Sequence, residues 1–265
     1  MRIAVLGAGV MGETLISGFL RYVTPTPMIT VVEKRPERRE ELASRYSIDF
    51  ADGPDAVRGA DVVVLVVKPQ DMGALLDEVG LFVETGSLVI SIAAGITTPF
   101  IQKRVPLGVN VVRAMPNTPA KVDRAVTGVS PGVSCAPTAL ALAVQLLESV
   151  GAVVQVPEDR QDAVTAVSGS GPAYVFYLAE AMIEAALSLG LDQPTAQHMV
   201  NHTILGAATL LESSGETAET LRRNVTSPNG TTAAAIATLD ELAVRSSIVA
   251  AITAARDRSR DLSGG

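Results

Sequence analysis

Short, continuous apolar runs alternate with helical patterns over the first half of the chain, and this alternation is typical of a parallel α/β sheet. The first apolar run, Arg2–Leu6, precedes a helical pattern over Val10–Arg21. A second run, Ile29–Val32, precedes a charged helix over Pro36–Arg45 that has a proline in its first turn. Continuous runs predict strands that are covered on both faces. Further strands are predicted at Asp61–Val67, Leu88–Ile92, Val109–Arg113, Val126–Val129 and Val153–Val156.

The character of the sequence changes after Pro157, where alanine-rich helical patterns replace the valine-rich runs. We therefore expect an α/β domain over residues 1–158 and an all-helical domain over residues 159–265. The helical patterns are apolar around much of their circumference, and a domain of about a hundred residues has little room to bury them all. We hypothesise that these faces pack against a second copy of the chain. The predicted helices are Ala173–Leu189, Thr195–Glu212, Thr217–Arg223, Thr231–Leu239 and Glu241–Arg260.

The composition narrows the classes of partner. The chain has 265 residues and a formal net charge of −7, which argues against binding to a phosphate backbone. Its one cysteine, Cys135, cannot form an intramolecular disulfide, so a reducing, cytoplasmic setting is expected. No apolar run reaches the roughly 18–20 residues that a membrane span needs. We expect a soluble protein without a nucleic-acid or membrane partner.

A glycine-rich loop, Gly7-Ala8-Gly9-Val10-Met11-Gly12, lies between the first predicted strand and the first predicted helix. In the G-x-G-x-x-G pattern the first glycine permits a tight turn, the second lets the backbone approach a pyrophosphate, and the third lets helix and strand pack closely. Because the loop stands in the required strand–turn–helix context, it predicts dinucleotide binding. The alternative is a glycine-rich turn without a ligand.

The end of the second predicted strand bears on the choice between NAD and NADP. Glu33 lies about 20 positions after the glycine loop, where an acid grips the ribose hydroxyls. Lys34 and Arg35 follow, and either can pair with a 2′-phosphate. These signals conflict, and we favour NADP with NAD as the alternative. A further interpretation is that Lys34 and Arg35 begin a solvated face that continues through Arg38 and Arg39.

Three loops follow predicted strands and should line the crevice at the carboxyl edge of the sheet. They are Val67-Lys68-Pro69, Ala93-Ala94-Gly95 and Met115-Pro116-Asn117-Thr118-Pro119. Lys68 is a cation at the end of an apolar strand, where it contacts a cofactor or a substrate carboxylate, or extends into solvent. The small residues of Ser168–Gly171 separate two predicted helices and allow either close packing or ligand binding.

A second anion-binding loop is predicted near the end of the chain. The segment Thr226-Ser227-Pro228-Asn229-Gly230-Thr231-Thr232 interrupts one helical pattern and begins another. Free N–H groups, the positive end of the helix dipole and two hydroxyl groups meet at this helix start. We therefore expect one loop for the phosphates of a cofactor and one loop for the acid group of a substrate.

Several kinds of catalytic machinery are missing from the sequence. The only histidines, His198 and His202, stand four apart without the H-E-x-x-H pattern, so we expect helix residues rather than metal ligands. The sequence has no cysteine cluster, nucleophile elbow or P-loop, and we predict no metal site. Hydride transfer that is assisted by hydroxyl donors needs none of these groups.

Taken together, these motifs resemble pyrroline-5-carboxylate reductase, the last enzyme of proline synthesis. The resemblance rests on Gly7–Gly12, Val67–Pro69, Val112–Asn117, Asp162–Tyr174 and Ser227–Thr232, which occur in order and at suitable spacing. It implies an N-terminal Rossmann-like domain that binds NAD(P), a C-terminal helical dimerisation domain, and assembly as a homodimer or a ring of dimers. The implied reaction is the reduction of (S)-1-pyrroline-5-carboxylate to L-proline by NADPH or NADH.

The resemblance also implies roles for individual residues. The loop at Gly230 would hold the substrate carboxylate on the backbone amides of Thr231 and Thr232, and the Thr232 hydroxyl would reach the ring nitrogen. Asn229 departs from the family, which usually has a second glycine there, but asparagine tolerates the left-handed conformation better than other non-glycine residues. From pattern or from resemblance, the predicted cofactor-binding residues are Gly7, Gly9, Val10, Met11, Gly12, Glu33, Lys34, Arg35, Val67, Lys68, Pro69, Ala93, Ala94, Gly95, Asn224, Ser227 and Pro228.

Other classes stay open at this point. A related imine reductase fits the same motifs. A hydroxyacid dehydrogenase of similar two-domain plan typically has a catalytic lysine on an inter-domain helix, and no lysine follows Lys121 in this chain. A dinucleotide-sensing regulatory module without turnover is the alternative from another class, although the intact Ser227–Thr232 loop argues against a loss of activity.

Overall fold

The computed structural model describes residues 1–263, so the last two residues of the predicted C-terminal domain, 264 and 265, lie outside the described residues. The chain divides into two compact units. The first, which we call the sheet unit, comprises Met1–Ser170 and the chain from Ala255 onward, and the second, the helical unit, comprises Gly171–Ala254. The predicted domain boundary near residue 158 rests on composition and stays a prediction.

Within residues 1–263, the sheet unit carries one sheet of eight strands. The strands are β1 Arg2–Leu6, β2 Met28–Val32, β3 Asp49–Phe50, β4 Val62–Leu65, β5 Leu88–Ser91, β6 Asn110–Met115, β7 Ala125–Pro131 and β8 Gly151–Gln155. They lie in the order β3-β2-β1-β4-β5-β6-β7-β8. Every neighbouring pair is parallel except β6 and β7, which are antiparallel. The predicted mostly parallel sheet is therefore confirmed.

Helices follow most strands of the sheet unit, as parallel connections require. They are α1 Val10–Tyr22, α2 Pro36–Arg45, α3 Gly53–Val57, α4 Met72–Val79, α5 Thr98–Gln102, α6 Pro137–Glu148 and α7 Gln161–Val164. Short 3₁₀ turns cover Pro69–Asp71, Gly80–Phe82, Thr118–Val122 and Glu158–Arg160. The predicted strands agree with the observed ones to within two residues at each end. Strand β3 and helices α3 to α6 were not predicted.

Each strand divides its side chains between two apolar cores, one on each face of the sheet. On β1, Ile3 and Val5 pack in one core, and Ala4 and Leu6 pack in the other. Burial on both faces explains why the apolar runs in the sequence are continuous. Strand β7 is antiparallel to β6 because a 3₁₀ turn, Thr118–Val122, joins them instead of a crossover helix.

The small-residue segment Ser168–Gly171 is not a simple break between two helices. After α7 the chain forms a π turn over Thr165–Gly169, in which the Ser170 N–H donates to the Thr165 carbonyl at 2.8 Å. The Asn117 amide donates to the Ser168 carbonyl at 3.1 Å. A side chain added at Gly169 would place its Cβ 3.1 Å from the end of the Met115 side chain. Of the two predicted roles, close packing against the loop after β6 is thus observed.

The helical unit is described over its whole length, and its regular elements are all helices. They are α8 Gly171–Ser188, α9 Gln193–Ser213, α10 Ala218–Asn224, α11 Thr231–Glu241 and α12 Val244–Ser263. Only the part of α12 up to Ala254 belongs to this unit. The predicted all-helical architecture is confirmed. Among the hydrophobic residues of this unit only Ala196 and Val200 are buried, whereas Phe176 is 62% exposed and Tyr177 is 76% exposed.

Across residues 1–263, no helix combines the length and the apolar character that crossing a membrane would require.

Candidate active site

The glycine-rich loop joins β1 to α1 and shows why each glycine is needed. Gly7 has φ +104°, a backbone conformation that side chains rarely adopt. A Cβ at Gly12 would lie 2.2 Å from the Gly7 carbonyl oxygen, so the helix start and the turn are in close contact. A Cβ at Gly9 would meet no atom within 4 Å, and Gly9 is exposed. The loop therefore leaves open space directly over its central glycine.

Helix α1 begins at this open space. Gly9 is its N-cap and no side chain caps it, so the N–H groups of the first turn, from Val10 and Met11 onward, have no intrahelical acceptor. Helix N-termini of this kind bind phosphate groups through their N–H donors and the helix dipole. The donors and the open space fit the diphosphate of a dinucleotide.

Glu33 lies just beyond the end of β2, and its side chain is only 8% exposed. Arg35 grips both of its carboxylate oxygens, with Nε to Oε1 and Nη2 to Oε2 each at 3.0 Å, and the Arg35 N–H also donates to Oε1 at 3.0 Å. Hydrogen bonding from the Arg35 side chain, which outweighs the effect of burial, lowers the pKa of Glu33 to about 2. Glu33 is therefore a carboxylate at neutral pH, and an arginine already occupies it.

A cavity of about 460 Å³ opens between the ends of β1, β2 and β4. It brings together residues that the sequence analysis had assigned to cofactor binding from three separate segments. Lys68 and Pro69 are exposed at the start of the next 3₁₀ turn, and neither lies among the described residues that line the cavity. The lining residues are Gly7, Val32, Glu33, Lys34, Arg35, Val67, Asp71, Ala74, Leu75 and Glu78.

The loop after β5 is fixed at its far end by a carboxylate. Ala93 and Gly95 are buried, and the chain then enters α5. There the Glu158 carboxylate accepts hydrogen bonds from the N–H and the hydroxyl of Thr98, each at 2.6 Å. Arg113, on β6, is buried and lies 3.8 Å from Glu158; its burial lowers the pKa of the guanidinium, and the attraction of Glu158 opposes that effect. The far end of this loop is therefore tied to Glu158, a partly buried carboxylate that pairs with the buried Arg113.

Two arginines of α2 have a role that the sequence analysis did not assign. Arg38 donates through Nε to the Ala8 carbonyl at 2.9 Å, and Arg39 donates to the Glu33 carbonyl. Both side chains are partly buried, so the predicted solvated face is wrong for these two residues. Their partners are backbone carbonyls, which leave no signal in the sequence. The charge pattern of α2 could only indicate a polar helix.

In the helical unit, the loop before α11 is a turn closed by the Gly230 N–H, which donates to the Ser227 carbonyl at 3.0 Å. Pro228 and Asn229 occupy the two central positions, and Asn229 has φ +61°, as turns with proline followed by asparagine or glycine require. A Cβ at Gly230, the N-cap of α11, would lie 2.4 Å from the Ser227 hydroxyl, so any larger residue there would displace that side chain. The prediction that Asn229 sustains the left-handed conformation is confirmed.

The hydroxyl groups of Thr231 and Thr232 are available for a ligand. Elsewhere in these helices a threonine hydroxyl donates to the carbonyl four residues earlier, as Thr238 does to Ala234 at 3.2 Å. Residues at the first two positions of a helix have no helical carbonyl to reach in this way. Among residues 1–263, neither the Thr231 nor the Thr232 hydroxyl makes a hydrogen bond. Thr232 is half-buried and Thr231 is exposed.

The remaining residues named in the sequence analysis lie outside these two loops. Asn224 is exposed at the end of α10. His198 and His202 are exposed on α9, with ring centroids 4.4 Å apart. Over the part of the chain that the structure describes, no three His, Cys, Asp or Glu side chains are grouped so that they could hold a metal ion.

The fold and the loops define a class of protein. A mostly parallel sheet with a glycine-rich loop at its carboxyl edge, followed by a separate helical unit, is the arrangement of two-domain, dinucleotide-dependent oxidoreductases. A family model described as "NADP oxidoreductase coenzyme F420-dependent" matches residues 2–95. A second one, described as "Pyrroline-5-carboxylate reductase dimerisation", matches residues 158–262.

Relatives of matching length identify the family. The pyrroline-5-carboxylate reductase of Mycobacterium tuberculosis is 39% identical over 284 residues, which cover 98% of this chain and 96% of that protein. The structure of a pyrroline-5-carboxylate reductase from Coxiella burnetii superimposes with a TM-score of 0.92 at 36% identity, covering 98% of each chain. A Plasmodium falciparum pyrroline carboxylate reductase, crystallised with NADP bound, shares the fold with a TM-score of 0.87 at 24% identity, covering 99% of this chain and 98% of that one. The chain belongs to the pyrroline-5-carboxylate reductase family, so the resemblance predicted from its motifs is confirmed.

Proposed function

We propose that this chain reduces (S)-1-pyrroline-5-carboxylate to L-proline with NADPH, and with NADH as a second donor, as the last step of proline synthesis in the cytoplasm. The observation that carries the proposal is the uncapped start of α11, where two threonine hydroxyls make no hydrogen bond within the described chain. A dinucleotide loop alone fits many oxidoreductases. A second anion site with free hydroxyl donors fits a substrate that carries both a carboxylate and an imine.

The sheet unit holds the cofactor in this proposal. The N–H groups at Gly9, Val10, Met11 and the start of α1 bind its diphosphate, for which Gly7 and Gly12 set the loop geometry. When bound, the nicotinamide supplies a hydride to the imine carbon. We assign the adenosine ribose to the 460 Å³ cavity, where Lys34 offers positive charge to a 2′-phosphate. Arg35, which is paired with Glu33, stays a predicted cofactor contact. The cofactor roles of Val67, Lys68, Pro69, Ala93, Ala94, Gly95, Asn224, Ser227 and Pro228 stay predictions from strand position and family resemblance.

The start of α11 holds the substrate. The N–H groups of Thr231 and Thr232 bind the carboxylate, since both lie in the first turn and have no acceptor within the helix. The Thr232 hydroxyl donates to the ring nitrogen or positions its proton. A protonated imine is already electrophilic, so orientation and electrostatic stabilisation provide the rate enhancement without a histidine acid or base.

We further propose that the helical unit forms a homodimer, and that dimers assemble into a ring. The exposed apolar residues of α8 and α9 support the first step, because a monomer would leave them in water. The net charge of −7 supports the expectation that neither nucleic acid nor an anionic membrane is a partner.

The decisive experiment follows NADPH oxidation with pyrroline-5-carboxylate and, separately, with 1-pyrroline, which lacks the carboxylate. We expect rapid turnover of the acid and much slower turnover of 1-pyrroline, through a higher KM. Equal rates with the two compounds would show that the start of α11 does not bind a carboxylate. No oxidation with the acid, in a preparation that binds NADPH, would overturn the activity itself.

A further inference from the structure

The glycine loop is held from beneath by one arginine. The Arg38 side chain, 14% exposed, reaches from α2 and donates through Nε to the Ala8 carbonyl at 2.9 Å. Its other nitrogens bind two carboxylates, that of Glu41 at 2.5 Å and that of Glu13. One guanidinium thus joins the loop, the first turn of α1 and helix α2, and its planar fork leaves little freedom for any of the three.

The bond to Ala8 determines where the next N–H points. Ala8 and Gly9 share a peptide group, and in a trans peptide the carbonyl and the N–H point in opposite directions. With the Ala8 carbonyl turned inward to Arg38, the Gly9 N–H is turned away from α2. A Cβ at Gly9 would meet nothing within 4 Å, so the space beside this residue is open. The peptide is therefore fixed before any ligand arrives.

We infer that Arg38 is a positioning residue: it orients the Ala8–Gly9 peptide so that the Gly9 N–H faces the diphosphate of the cofactor. The inference rests on the proposed function, because it presumes a dinucleotide on this loop. Arg38 acts through the backbone and does not bind the cofactor itself. Its effect is preorganisation, which lowers the cost of binding by fixing a donor in advance.

A purely electrostatic role for Arg38 is the main rival explanation. Glu13 stands in the first turn of α1, where its charge would repel a phosphate group. It also receives Arg45 Nη1 at 2.9 Å and the Tyr46 hydroxyl at 3.2 Å. Although burial opposes the effect, the hydrogen bonds from the two arginines keep the pKa of Glu13 below its usual value. Removing Arg38 therefore changes both the peptide and the local charge, and the test must separate them.

The test measures the dissociation constants of two ligands, NADPH and adenosine 2′-monophosphate, by titration in the absence of substrate. The second ligand has no diphosphate. In Arg38→Lys the charge is kept but the Nε donor is lost, and in the double variant Glu13→Gln/Arg38→Met both charges are removed together. We expect both proteins to bind NADPH about tenfold more weakly, a change of ~1.4 kcal/mol, and to bind adenosine 2′-monophosphate like the wild type. Arg45→Met is the control, since Arg45 also pairs with Glu13 and Glu41 but lies 52% exposed and does not contact the loop.

The possible results separate the explanations. Wild-type NADPH affinity in the double variant would overturn the inference, because that protein has neither the two charges nor a side-chain donor to the Ala8 carbonyl. Wild-type affinity in Arg38→Lys would overturn the role of Nε and the planar fork, because any cationic donor would then suffice. Equal weakening of both ligands, together with a lowered melting temperature, would also overturn it, because the arginine would then serve the stability of the unit. Failure of the wild-type protein to bind NADPH would instead refute the proposed function and, with it, this inference.

Discussion

The two units of this chain differ in how many of their apolar residues they bury. The sheet unit buries two complete cores, one on each face of the sheet, and its exposed hydrophobic residues are scattered. The helical unit, over 84 residues that are all described, buries only Ala196 and Val200 among its hydrophobic residues. A unit with so little core cannot be stable alone. The contrast indicates that the helical unit needs another protein surface to cover its apolar residues. The description of the family model that matches residues 158–262, "Pyrroline-5-carboxylate reductase dimerisation", agrees with our proposal that this surface is that of a second copy.

The two proposed ligand loops, the glycine loop after β1 and the loop before α11, also differ in how much packed core supports them. The glycine loop rests on a packed sheet and on bonds from α2, so it is preformed within one chain. The loop before α11 belongs to the unit with little core, so we expect the orientation of Thr231 and Thr232 to depend on the proposed assembly. Cofactor binding should therefore survive dissociation of the dimer, while substrate turnover should not.

The largest effect is expected from Phe176→Asp, on the exposed apolar surface of α8. An unpaired charge buried in an interface costs about 3–5 kcal/mol, so the proposed dimer should dissociate on the order of 10²–10⁴ times more readily. Sedimentation velocity at micromolar concentration measures this change. Val133→Asp is the control, because Val133 is 99% exposed in the sheet unit. An intact dimer in the Phe176 variant would show that the exposed apolar surface of α8 is not the interface of the helical unit.

Thr232→Val should lower turnover while NADPH affinity stays unchanged. Loss of one hydrogen-bond donor to the transition state costs about 2.7–4 kcal/mol, or roughly 10²–10³ in rate, and we take this as the upper limit of the expected loss in turnover. Thr232→Ser should restore much of the rate because it keeps the hydroxyl. Thr238→Val lies on the same helix and removes a hydroxyl that already bonds Ala234, so it should be active. Full activity in the Thr232→Val protein would leave that hydroxyl without a function.

Substitution of two glycines in the glycine loop should affect two different quantities, the stability of the protein and its affinity for NADPH. Gly12→Ala places a Cβ 2.2 Å from the Gly7 carbonyl oxygen, and overpacking of this kind costs about 1–3 kcal/mol in unfolding free energy. Gly9→Ala meets no atom within 4 Å, so its melting temperature should match the wild type while NADPH binding weakens roughly tenfold. Calorimetry and ligand titration of both variants test the pair. Unchanged NADPH affinity in Gly9→Ala would contradict the assignment of the diphosphate to this space.

The smallest effect should come from Arg35→Gln and should depend on pH. The Glu33 pKa is lowered to about 2 from an ordinary value of 4.5, so its stabilising contribution is present above pH 4.5 and disappears as the pH falls toward 2. The melting temperature of the variant should lie below that of the wild type at pH 6, and the difference should shrink below pH 4.5 and close near pH 2. Arg58→Gln is the control, because it removes an ion pair, with Asp55, in which both side chains are exposed. A difference that stays constant from pH 6 to pH 3 would refute the role of Glu33.

Local chemistry made much of the fold predictable. The buried strands were found because their apolar runs are continuous, and the two loops were found because glycine, proline and hydroxyl residues mark backbone that must bend or donate. Helix α6 was missed because the alternation Ala139-Leu140-Ala141-Leu142-Ala143-Val144 imitates the two-residue period of a strand. The antiparallel direction of β7 was missed because a residue pattern carries no information about the direction of its neighbour.

The candidate site was predictable to a smaller extent. Residues such as Gly12 and Thr232 can be recognised in the sequence, because few other residues provide the same backbone geometry or the same chemistry. Arg38 does not, because an arginine in a charged helix reads as a solvated residue and its partner is a main-chain carbonyl. The structure does not decide between NAD and NADP at this position. Glu33 indicates NAD and Arg35 indicates NADP, and the two side chains neutralise each other by pairing.

Helix α2 buries a single residue, Leu42. It is otherwise held by three arginines: Arg38 bonds to the glycine loop, Arg39 to the backbone just after β2, and Arg45 to Glu13 on α1. Its attachment is therefore sensitive to ionic strength, since salt screens partly exposed charges while it leaves apolar contacts intact. Raising the salt concentration should speed amide hydrogen exchange in α2 before it affects β1 or β4. The same change should loosen the glycine loop, so cofactor affinity and the local opening of a helix that never touches the cofactor would vary together.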